Sequence, residues 1–303
     1  MNRASLIEAL PGDFYLTLVD VGSAGGLHRR WNPYRSILSS VLFDPREPAA
    51  IGSFGRGATK VYPVALGDKD GEAELFLTGL PNMSSFLRPD PTVFARYGKK
   101  EADAAITSTE TVPLVRLDEL ARRDGFAVHA LKVDTQGSEL MVLNGAAQAL
   151  KSTLLAEVEV SFFQRYVDQP RFADIEAFMV GQGFDLIDLL QLKRYRADNS
   201  LGLRNAAVPE GEKSGRVAYG NAIFLRREEH ILSGSNADGG LGLLRSIVAL
   251  VAYGKADIAA QLLDRCGDSL GLEQATKMQR ALRSLPISDR KPNLIRRLLG
   301  KPR

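Results

Sequence analysis

Phe14-Tyr15-Leu16-Thr17-Leu18-Val19-Asp20-Val21-Gly22-Ser23-Ala24-Gly25-Gly26 is the stretch that decides the fold of this chain. Its first eight residues are nearly all apolar and rich in β-branched and aromatic side chains, which predicts a strand buried on both faces, as in a parallel sheet. Glycines follow at once, and they allow a ligand to approach the backbone closely. The stretch therefore predicts an α/β sheet that binds a ligand at the carboxyl ends of its strands.

Strands and helices alternate along the rest of this region. Further strands are predicted over residues 40–43, 59–65, 71–77, 128–133, 153–160, 184–190 and 221–225, and helices over 32–40, 117–123, 137–150 and 171–182. Such alternation favours a parallel sheet with right-handed crossovers, and the last two strands, with no full helix between them, predict an antiparallel addition at one edge. Residues 78–110 and 198–219 are predicted to be loops. We expect a mostly parallel seven-stranded sheet, the Rossmann-like α/β architecture of class I methyltransferases.

The pattern changes after residue 235. Amphipathic helices are predicted over residues 241–253, 256–265 and 272–285. We therefore divide the chain into a ligand-binding domain, residues 1–235, and a small helical C-terminal appendage, residues 236–303, which packs on the first domain or on a partner.

The type of ligand is indicated by two acidic residues. Asp44, followed by Pro45, ends the second strand, where a carboxylate can bind both hydroxyls of a ribose. The glycine turn lacks the Gly-x-Gly-x-x-Gly spacing that cradles a pyrophosphate, and it begins with Asp20, which would repel phosphate. An acid there suits a cationic group, such as the amino group of S-adenosyl-L-methionine. These features favour S-adenosyl-L-methionine over NAD as the cofactor.

Two motifs of this chain resemble those of the FkbM-type methyltransferases. One is the turn Val19 to Gly26, and the other is Leu131-Lys132-Val133-Asp134-Thr135-Gln136-Gly137-Ser138-Glu139-Leu140 with the following Val142-Leu143-Asn144-Gly145-Ala146. Weaker matches are Leu117-Asp118-Glu119-Leu120, Glu159-Val160-Ser161-Phe162 with Tyr166, Gly183-Phe184 and the strand Asn221 to Leu225. The resemblance covers about residues 14–227. Many members carry glutamate at the position of Gln136, to which we assign no catalytic role.

The resemblance implies O-methyl transfer from S-adenosyl-L-methionine to a hydroxyl of a sugar, glycan or secondary metabolite. It places Asp20, Gly22 and Gly26 at the methionine part of the cofactor, Asp44 at the ribose, and Asp134 near the sulfonium and the acceptor. Ala65 and Leu66 would face the adenine. The remaining cofactor-binding candidates are Ser23, Gly25 and Pro45.

Transfer of a methyl group to a hydroxyl requires alignment and a base within reach. The candidates for the base are Asp134, Glu159 and His28. Glu157 and Glu159 lie on one face of their strand, because side chains alternate, and buried acids are costly unless they are paired or bind a metal. Lys132, one strand over, or arginine residues could pair with them. A divalent ion at Asp134 and Glu159 would lack a third close ligand, so we assign no metal.

Several candidate residues also have plain structural interpretations. Asp134 could act only as a helix cap. The loop residue His28 could pack near Trp31, and His129 is predicted to be structural. Trp31 and Tyr34 are core anchors or an acceptor platform, and residues 82–86 could face the acceptor. At the level of the whole chain, a non-catalytic nucleoside-binding scaffold and an NAD-dependent enzyme remain alternatives.

The charge, cysteine content and apolar runs of the chain indicate which class of protein it belongs to. The chain has 303 residues and a net charge of +3, which is too small to indicate a nucleic-acid partner. The basic residues 290–303 are interpreted as a solvated tail, with contact to a membrane surface as the alternative. The single cysteine, Cys266, forms no internal disulfide and fits a reducing compartment. No apolar run is long enough to span a membrane and no signal-peptide core follows Met1, so we expect a cytoplasmic protein, monomeric or homo-oligomeric, with a small-molecule or glycan acceptor.

Overall fold

The computed structural model describes residues 4–23, 26–50, 52–97, 101–204, 214–237 and 240–286. The predicted site residue Gly25 and the basic tail 290–303 lie outside these ranges. The strands are β1 Leu16–Val21, β2 Leu38–Phe43, β3 Ala58–Tyr62, β4 Ala65–Leu66, β5 Gly71–Thr78, β6 Ile106–Val115, β7 Ala130–Val133, β8 Leu155–Ser161, β9 Phe184–Tyr195 and β10 Arg216–Arg226. The α-helices are α1 Ala4–Glu8, α2 Pro91–Arg96, α3 Glu101–Ala104, α4 Leu117–Asp124, α5 Glu139–Asn144, α6 Phe172–Gly181, α7 Glu228–Ala237, α8 Leu241–Ala252, α9 Ala256–Cys266 and α10 Leu272–Arg283. Shorter 3-10 helices cover Arg29–Ile37, Pro81–Met83, Ala149–Ser152 and Gly267–Leu270.

Seven strands form one large sheet in the order β3-β2-β1-β7-β8-β10-β9. Strands β3, β2, β1, β7 and β8 pair in parallel, whereas β10 is antiparallel to both β8 and β9. A mixed α/β fold with a large, mostly parallel sheet is therefore confirmed. The antiparallel strand lies next to the edge, between β8 and β9, because the last strand of the chain inserts between the two before it.

The two faces of this sheet are covered by different parts of the chain. Helices α4, α5 and α6, which precede or connect the strands, share a core with one face. On the other face, a 3-10 helix connects β1 to β2, and residues 44–57, residue 51 excepted, contain no helix between β2 and β3. That face shares its core with α1 and with the C-terminal helices α8, α9 and α10. The C-terminal helices thus occupy the side where few crossover helices lie.

The division of the chain at residue 235 stays a prediction, and it falls inside α7. Helix α7 was not predicted, because its sequence Ser233-Gly234-Ser235-Asn236 is typical of a turn. The short helix α1 was also missed, because residues 1–13 were interpreted as a short polar segment, whereas Leu6 of α1 is fully buried.

A second, smaller sheet corrects the interpretation of residues 78–110 as a loop. Its strands have the order β4-β6-β5 and include β6, while α2 and α3 lie within the predicted loop. Strand β6 escaped prediction because residues 106–111 are solvent-exposed and mostly polar, so they carry no pattern of burial. Ala65 and Leu66, predicted to end the third strand of the large sheet, instead form β4 of this small sheet.

Two predicted helices are also shorter or of another type than expected. The helix predicted from Asn32 to Ser40 is a 3-10 helix, Arg29–Ile37, with Pro33 inside it, because proline cannot donate a backbone hydrogen bond. The helix predicted over residues 137–150 ends as α5 at Asn144 and is followed by Gly145. A Cβ atom at Gly145 would lie 1.8 Å from the Gly67 carbonyl oxygen, so the backbones of two loops touch there.

Candidate active site

One cavity of about 980 Å³ opens at the carboxyl ends of β1, β2, β7 and β8. Every predicted site residue within the described ranges lines it. These residues are Asp20, Gly22, Ser23, Gly26, His28, Asp44, Pro45, Ala65, Leu66, Asp134 and Glu159. Residues that are far apart in the sequence are therefore brought together at one place, as the parallel topology requires.

The glycine turn is shaped by close contact with the end of β7. Gly22 has φ +79°, and its amide donates to the Phe43 carbonyl oxygen over 2.9 Å. A Cβ atom at Gly22 would lie 1.9 Å from the carbonyl oxygen of Asp134, so no other residue fits without displacing β7. Next to it, the buried Ser23 hydroxyl has no hydrogen-bond partner among the described residues, although it lines the cavity. A polar group left unpaired at a cavity wall suits a polar ligand.

A row of charged side chains crosses the sheet below the cavity. Asp20, Lys132 and Glu157 are in register on β1, β7 and β8. The Lys132 Nζ lies 3.0 Å from Asp20 Oδ1 and 3.9 Å from Asp134 Oδ2. The idea that Lys132 is the partner of Glu157 and Glu159 is therefore wrong, since the lysine forms its ion pairs with Asp20 and Asp134 instead. Burial raises the pKa of Asp20, and the charge of Lys132 opposes that rise.

Arginines pair with the two glutamates of β8, as the alternative interpretation predicted. Glu157 lies 3.1 Å from the Arg30 guanidinium, and it also accepts hydrogen bonds from Asn221 and from the Tyr253 hydroxyl. Glu159 lies 3.1 Å from the Arg165 guanidinium. Both acids are thus held in place, which offsets the cost of their burial.

His28 is held by the same arginine that binds Glu157. The backbone amide and the Nε of Arg30 both donate to His28 Nδ1, over 3.2 and 3.1 Å. Burial and then the charge of Arg30 lower the pKa of His28, so the ring is neutral near pH 7. Because Nδ1 accepts, the proton of the neutral ring is on Nε2. His28 lines the cavity, and because Nδ1 is already occupied, only Nε2 is left to bind a ligand.

Glu159 has the electrostatics of a proton acceptor. Burial and then repulsion from Asp134 raise its pKa to about 8. The Gln136 side chain amide joins the two acids, because its Nε2 donates to Asp134 Oδ1 over 2.9 Å and to Glu159 Oε2 over 3.1 Å. Gln136 has φ +57°, in the left-handed region that few non-glycine residues adopt. Such strain is typical of functional sites.

A third acid lies close to Asp134 and Glu159. Carboxylate oxygens of Asp134, Glu139 and Glu159 all lie within 4.8 Å of one another, so Glu139 supplies the third group that the sequence interpretation lacked. However, Glu139 already accepts hydrogen bonds from the backbone amides of Thr135 and Gly137, over 3.0 and 2.9 Å. The donors on Glu139 and Glu159 would have to be displaced by an ion. The assignment of no metal stays a prediction.

The far end of the cavity contains residues that were not predicted from the sequence. Arg165 is 2% exposed, and its guanidinium lies 4.1 Å from the ring centre of Tyr219. Tyr195 and Tyr219 lie near the ends of β9 and β10, and both line the cavity together with residues 82–86. The sequence offers no pattern for Arg165, which follows β8 in a loop. Tyr195 and Tyr219 lie in the parts of β9 and β10 outside the apolar segments 184–190 and 221–225 from which these strands were predicted.

The structure bears out the structural interpretations of Trp31, Tyr34 and His129 and contradicts that of Asp134 as a helix cap. Trp31 and Tyr34 are buried in the core. His129 is buried and accepts the Thr17 amide through Nδ1 over 2.9 Å, which is a structural role. The N-cap of α5 is Ser138, so Asp134 is not that cap. Along the described residues, no helix has both the length and the apolar character needed to cross a membrane.

Comparison with known families gives a match to the middle of the chain. Residues 46–186 match the family described as the methyltransferase FkbM domain. This range contains β7, β8 and the motif from Leu131 to Ala146, whereas the glycine turn, Asp44 and the C-terminal helices lie outside it. No curated protein and no solved structure matches the chain.

Proposed function

We propose that this chain, whose residues 46–186 carry a methyltransferase FkbM domain, transfers a methyl group from S-adenosyl-L-methionine to a hydroxyl of a sugar, glycan or secondary metabolite. The observation that carries the proposal is the convergence of the glycine turn, Asp44 and the Asp134 motif on one cavity. The strand order, with one antiparallel strand beside the edge, supports a class I, Rossmann-like assignment. The family match supports the methyltransferase part of the proposal.

The residues at the β1 and β2 ends fit this cofactor. Gly22 has no side chain, so a ligand can approach the backbone of the turn closely. The Ser23 hydroxyl, which has no partner among the described residues, is available to a polar group of the ligand. Asp44 is buried, its Oδ1 accepts from the Arg46 amide over 2.9 Å, and it lines the cavity where a ribose would need a carboxylate. We assign Asp20, Gly22, Ser23 and Gly26 to the methionine part, Asp44 with Pro45 to the ribose, and Ala65 with Leu66 to the adenine.

The mechanism requires little covalent chemistry from the protein. When bound, S-adenosyl-L-methionine would supply a sulfonium methyl group: an acceptor oxygen bonds to the methyl carbon while the carbon–sulfur bond breaks, and the demethylated thioether leaves. The cavity walls hold the acceptor hydroxyl in line with that methyl group, which is a proximity effect. Glu159 accepts the hydroxyl proton, since its pKa of about 8 leaves a useful fraction ionised and gives it affinity for a proton. Gln136 holds Glu159 in place through the hydrogen bonds by which it joins Glu159 to Asp134, and His28 would donate a hydrogen bond to the bound ligand.

The acceptor end of the cavity supports a polyhydroxylated acceptor. Tyr195 and Tyr219, whose side chains combine an aromatic ring with a hydroxyl, line the cavity together with the amide side chains of Gln191 and Asn221. A sugar ring has both apolar C–H faces and hydroxyl groups, so this mixture of side chains suits it. The identity of the acceptor is a matter for screening with sugars and glycans.

Isothermal titration calorimetry with S-adenosyl-L-methionine and its demethylated product tests the proposal directly. We expect binding by the wild type and a loss of affinity of about tenfold or more in Asp44→Ala, because the variant lacks the ribose acceptor. Asp70→Ala is a matched control, since Asp70 also accepts a backbone amide, that of Arg116, over 2.9 Å but lies outside the cavity.

Three outcomes would contradict the proposal. Absence of binding at millimolar cofactor would contradict the cofactor assignment, and tighter binding of NADH would favour an NAD-dependent enzyme. Binding of S-adenosyl-L-methionine without methyl transfer to any hydroxyl acceptor in the screen would favour the non-catalytic scaffold.

A further inference from the structure

The C-terminal end of α8 is fixed in a defined geometry beneath the cavity. Gly254 has φ +77°, its amide donates to the Val251 carbonyl over 3.1 Å, and the Lys255 amide donates to the Leu250 carbonyl over 2.8 Å. These two bonds form the Schellman motif that ends many helices. The motif fixes the position of Tyr253, the residue that precedes the glycine.

Tyr253 points into the charged row below the cavity. Its hydroxyl donates to Glu157 Oε2 over 2.6 Å, and the Arg30 guanidinium carbon lies 4.3 Å from its ring centre. The edge of Trp31 packs against the same ring, with the ring centres 5.9 Å apart. Tyr253 is therefore in direct contact with both members of the Glu157–Arg30 ion pair.

A second contact ties the same turn to the sheet. Lys255 forms an ion pair with Asp188 on β9. Glu157, Ile223 and Asp188 are in register across β8, β10 and β9, so Tyr253 and Lys255 meet one row of the sheet at two points. The turn after α8 is thus anchored on the strands that form the cavity floor.

We propose that Tyr253 is a positioning residue that holds Glu157 and Arg30, and through Arg30 the cavity residue His28. The proposal rests on the proposed function, in which His28 donates a hydrogen bond to a bound ligand. Tyr253 lies far beyond residues 46–186, so the C-terminal helices complete a site whose centre belongs to the family domain.

A purely structural role would not require this arrangement. An aromatic ring that only filled the core would pack equally well as phenylalanine, whereas the hydroxyl of Tyr253 is buried and paired with a carboxylate. Glu157 has all its close donors in place: Arg30, Asn221 and Tyr253. The Nε and the backbone amide of Arg30 in turn both donate hydrogen bonds to His28 Nδ1. The orientation of the imidazole therefore depends on a chain of contacts that starts at α8.

The test compares Tyr253→Phe and Tyr253→Leu with the wild-type full chain. The phenylalanine variant lacks the hydroxyl and keeps the ring over Arg30, whereas the leucine variant lacks both. Ser246→Ala is the matched control, because Ser246 is a buried residue of α8 whose hydroxyl bonds only within the helix, to the Gly242 carbonyl. Each variant is first checked for an unchanged circular dichroism spectrum.

Nitrogen NMR of the imidazole rings provides a readout that loss of core packing alone would not change. The chain has three histidines, so the His28 signals can be assigned by a His28→Gln variant. We expect the wild type to show a neutral ring protonated at Nε2, a changed His28 signal in both Tyr253 variants, and no change in Ser246→Ala. We also expect affinity for S-adenosyl-L-methionine to fall about tenfold in Tyr253→Leu and less in Tyr253→Phe.

The outcomes separate this inference from the proposed function. Unchanged His28 signals and unchanged affinity in a folded Tyr253→Leu protein would overturn the positioning role. If Tyr253→Leu does not fold, the His28 signals and the affinity of Tyr253→Phe decide whether Tyr253 has the positioning role. Failure of the wild type to bind S-adenosyl-L-methionine would contradict the proposed function, and the NMR comparison would still decide whether Tyr253 positions His28.

Discussion

Glu159 shows how a single residue acquires a chemical role from its surroundings. It is 5% exposed and lies beside Asp134 and Glu139, so its negative charge is disfavoured. Arg165 and the Gln136 amide oppose that effect without cancelling it. The pKa of Glu159 is therefore raised to about 8, which is why we propose this carboxyl as the general base.

We predict that methyl transfer depends on the ionised form of Glu159. Its pKa is raised to about 8, so kcat/KM should increase as pH rises through that value and should level off above it. Glu159→Gln should lower kcat by about 10²–10⁴-fold and abolish this dependence. The measurement is a pH–rate profile with an acceptor found by screening. Asp103→Asn, which changes another acid at the cavity wall, should keep the wild-type profile; full activity of Glu159→Gln would refute the assignment.

Gly22 is the residue at which a single methyl group should disrupt the site. Because its Cβ would lie 1.9 Å from the Asp134 carbonyl oxygen, Gly22→Ala must push β1 and β7 apart at the cavity. We expect a loss of stability of about 1–3 kcal/mol, as in other overpacked sites, together with weaker binding of S-adenosyl-L-methionine. Urea unfolding and calorimetry measure the two effects. Gly12→Ala, where a Cβ meets nothing within 4 Å, is the control; equal stability of the two variants would contradict the steric argument.

The residues that the ends of β1, β2 and β7 bring to the cavity could be predicted from the sequence, whereas the partners of Glu157 and Glu159 could not. The glycine turn, Asp44 and Asp134 each directly follow an apolar strand, so the topology alone places them at one edge of the sheet. The partners of Glu157 and Glu159 are set by side chains from a 3-10 helix, a loop and a C-terminal helix, namely Arg30, Arg165 and Tyr253. No local pattern links such distant positions, so the sequence leaves Lys132 and unnamed arginines as alternative partners and does not identify Arg30 or Arg165.

At the scale of elements, buried strands were predictable and solvated elements were not. Strands β1, β2, β7 and β8 are buried along nearly their whole length, and their apolar runs indicate them in the sequence. Strand β6 is largely exposed, so its threonines carry only a β-branched preference and no alternation. Element boundaries also differ from the prediction where two backbones touch. Helix α5, for example, ends at Asn144, just before Gly145, whose backbone lies against that of Gly67.

The turn that ends α8 gives a prediction at this scale. Gly254 has φ +77° and nothing lies within 4 Å of its Cβ position, so Gly254→Ala adds backbone strain without a clash. We expect it to lower the free energy of unfolding by about 1–2 kcal/mol. Gly181→Ala is the matched control, because Gly181 ends α6 with open space around it and no positive φ, and alanine there should be neutral or stabilising. Urea unfolding measures both, and a stabilised Gly254→Ala protein would contradict the Schellman geometry.

At the scale of the whole molecule, the C-terminal helices form part of the protein's main core. Leu16, Leu18 and Trp31 from the sheet region belong to the same buried cluster as Leu250 from α8. The three C-terminal helices were predictable from the sequence, although α8, expected to be amphipathic, is buried on nearly all sides. The face on which they pack was not predictable, because it depends on the connections of that face, which in the described residues are a 3-10 helix between β1 and β2 and no helix between β2 and β3. The same packing places Tyr253 under the cavity.

This shared core predicts that the sheet and the C-terminal helices unfold together. Leu250 is fully buried, so Leu250→Ala should lower the free energy of unfolding by about 2–5 kcal/mol. Leu272→Ala, at a residue 87% exposed in α10, should change it by less than about 0.5 kcal/mol. Unfolding followed by the fluorescence of Trp31, the only tryptophan, should coincide with unfolding followed by circular dichroism. Hydrogen exchange is the decisive measurement: in Leu250→Ala it should become faster in β1 and β8 as well as in α8. Faster exchange confined to α8, α9 and α10 would show that these helices are a separate unit, as the division at residue 235 implies.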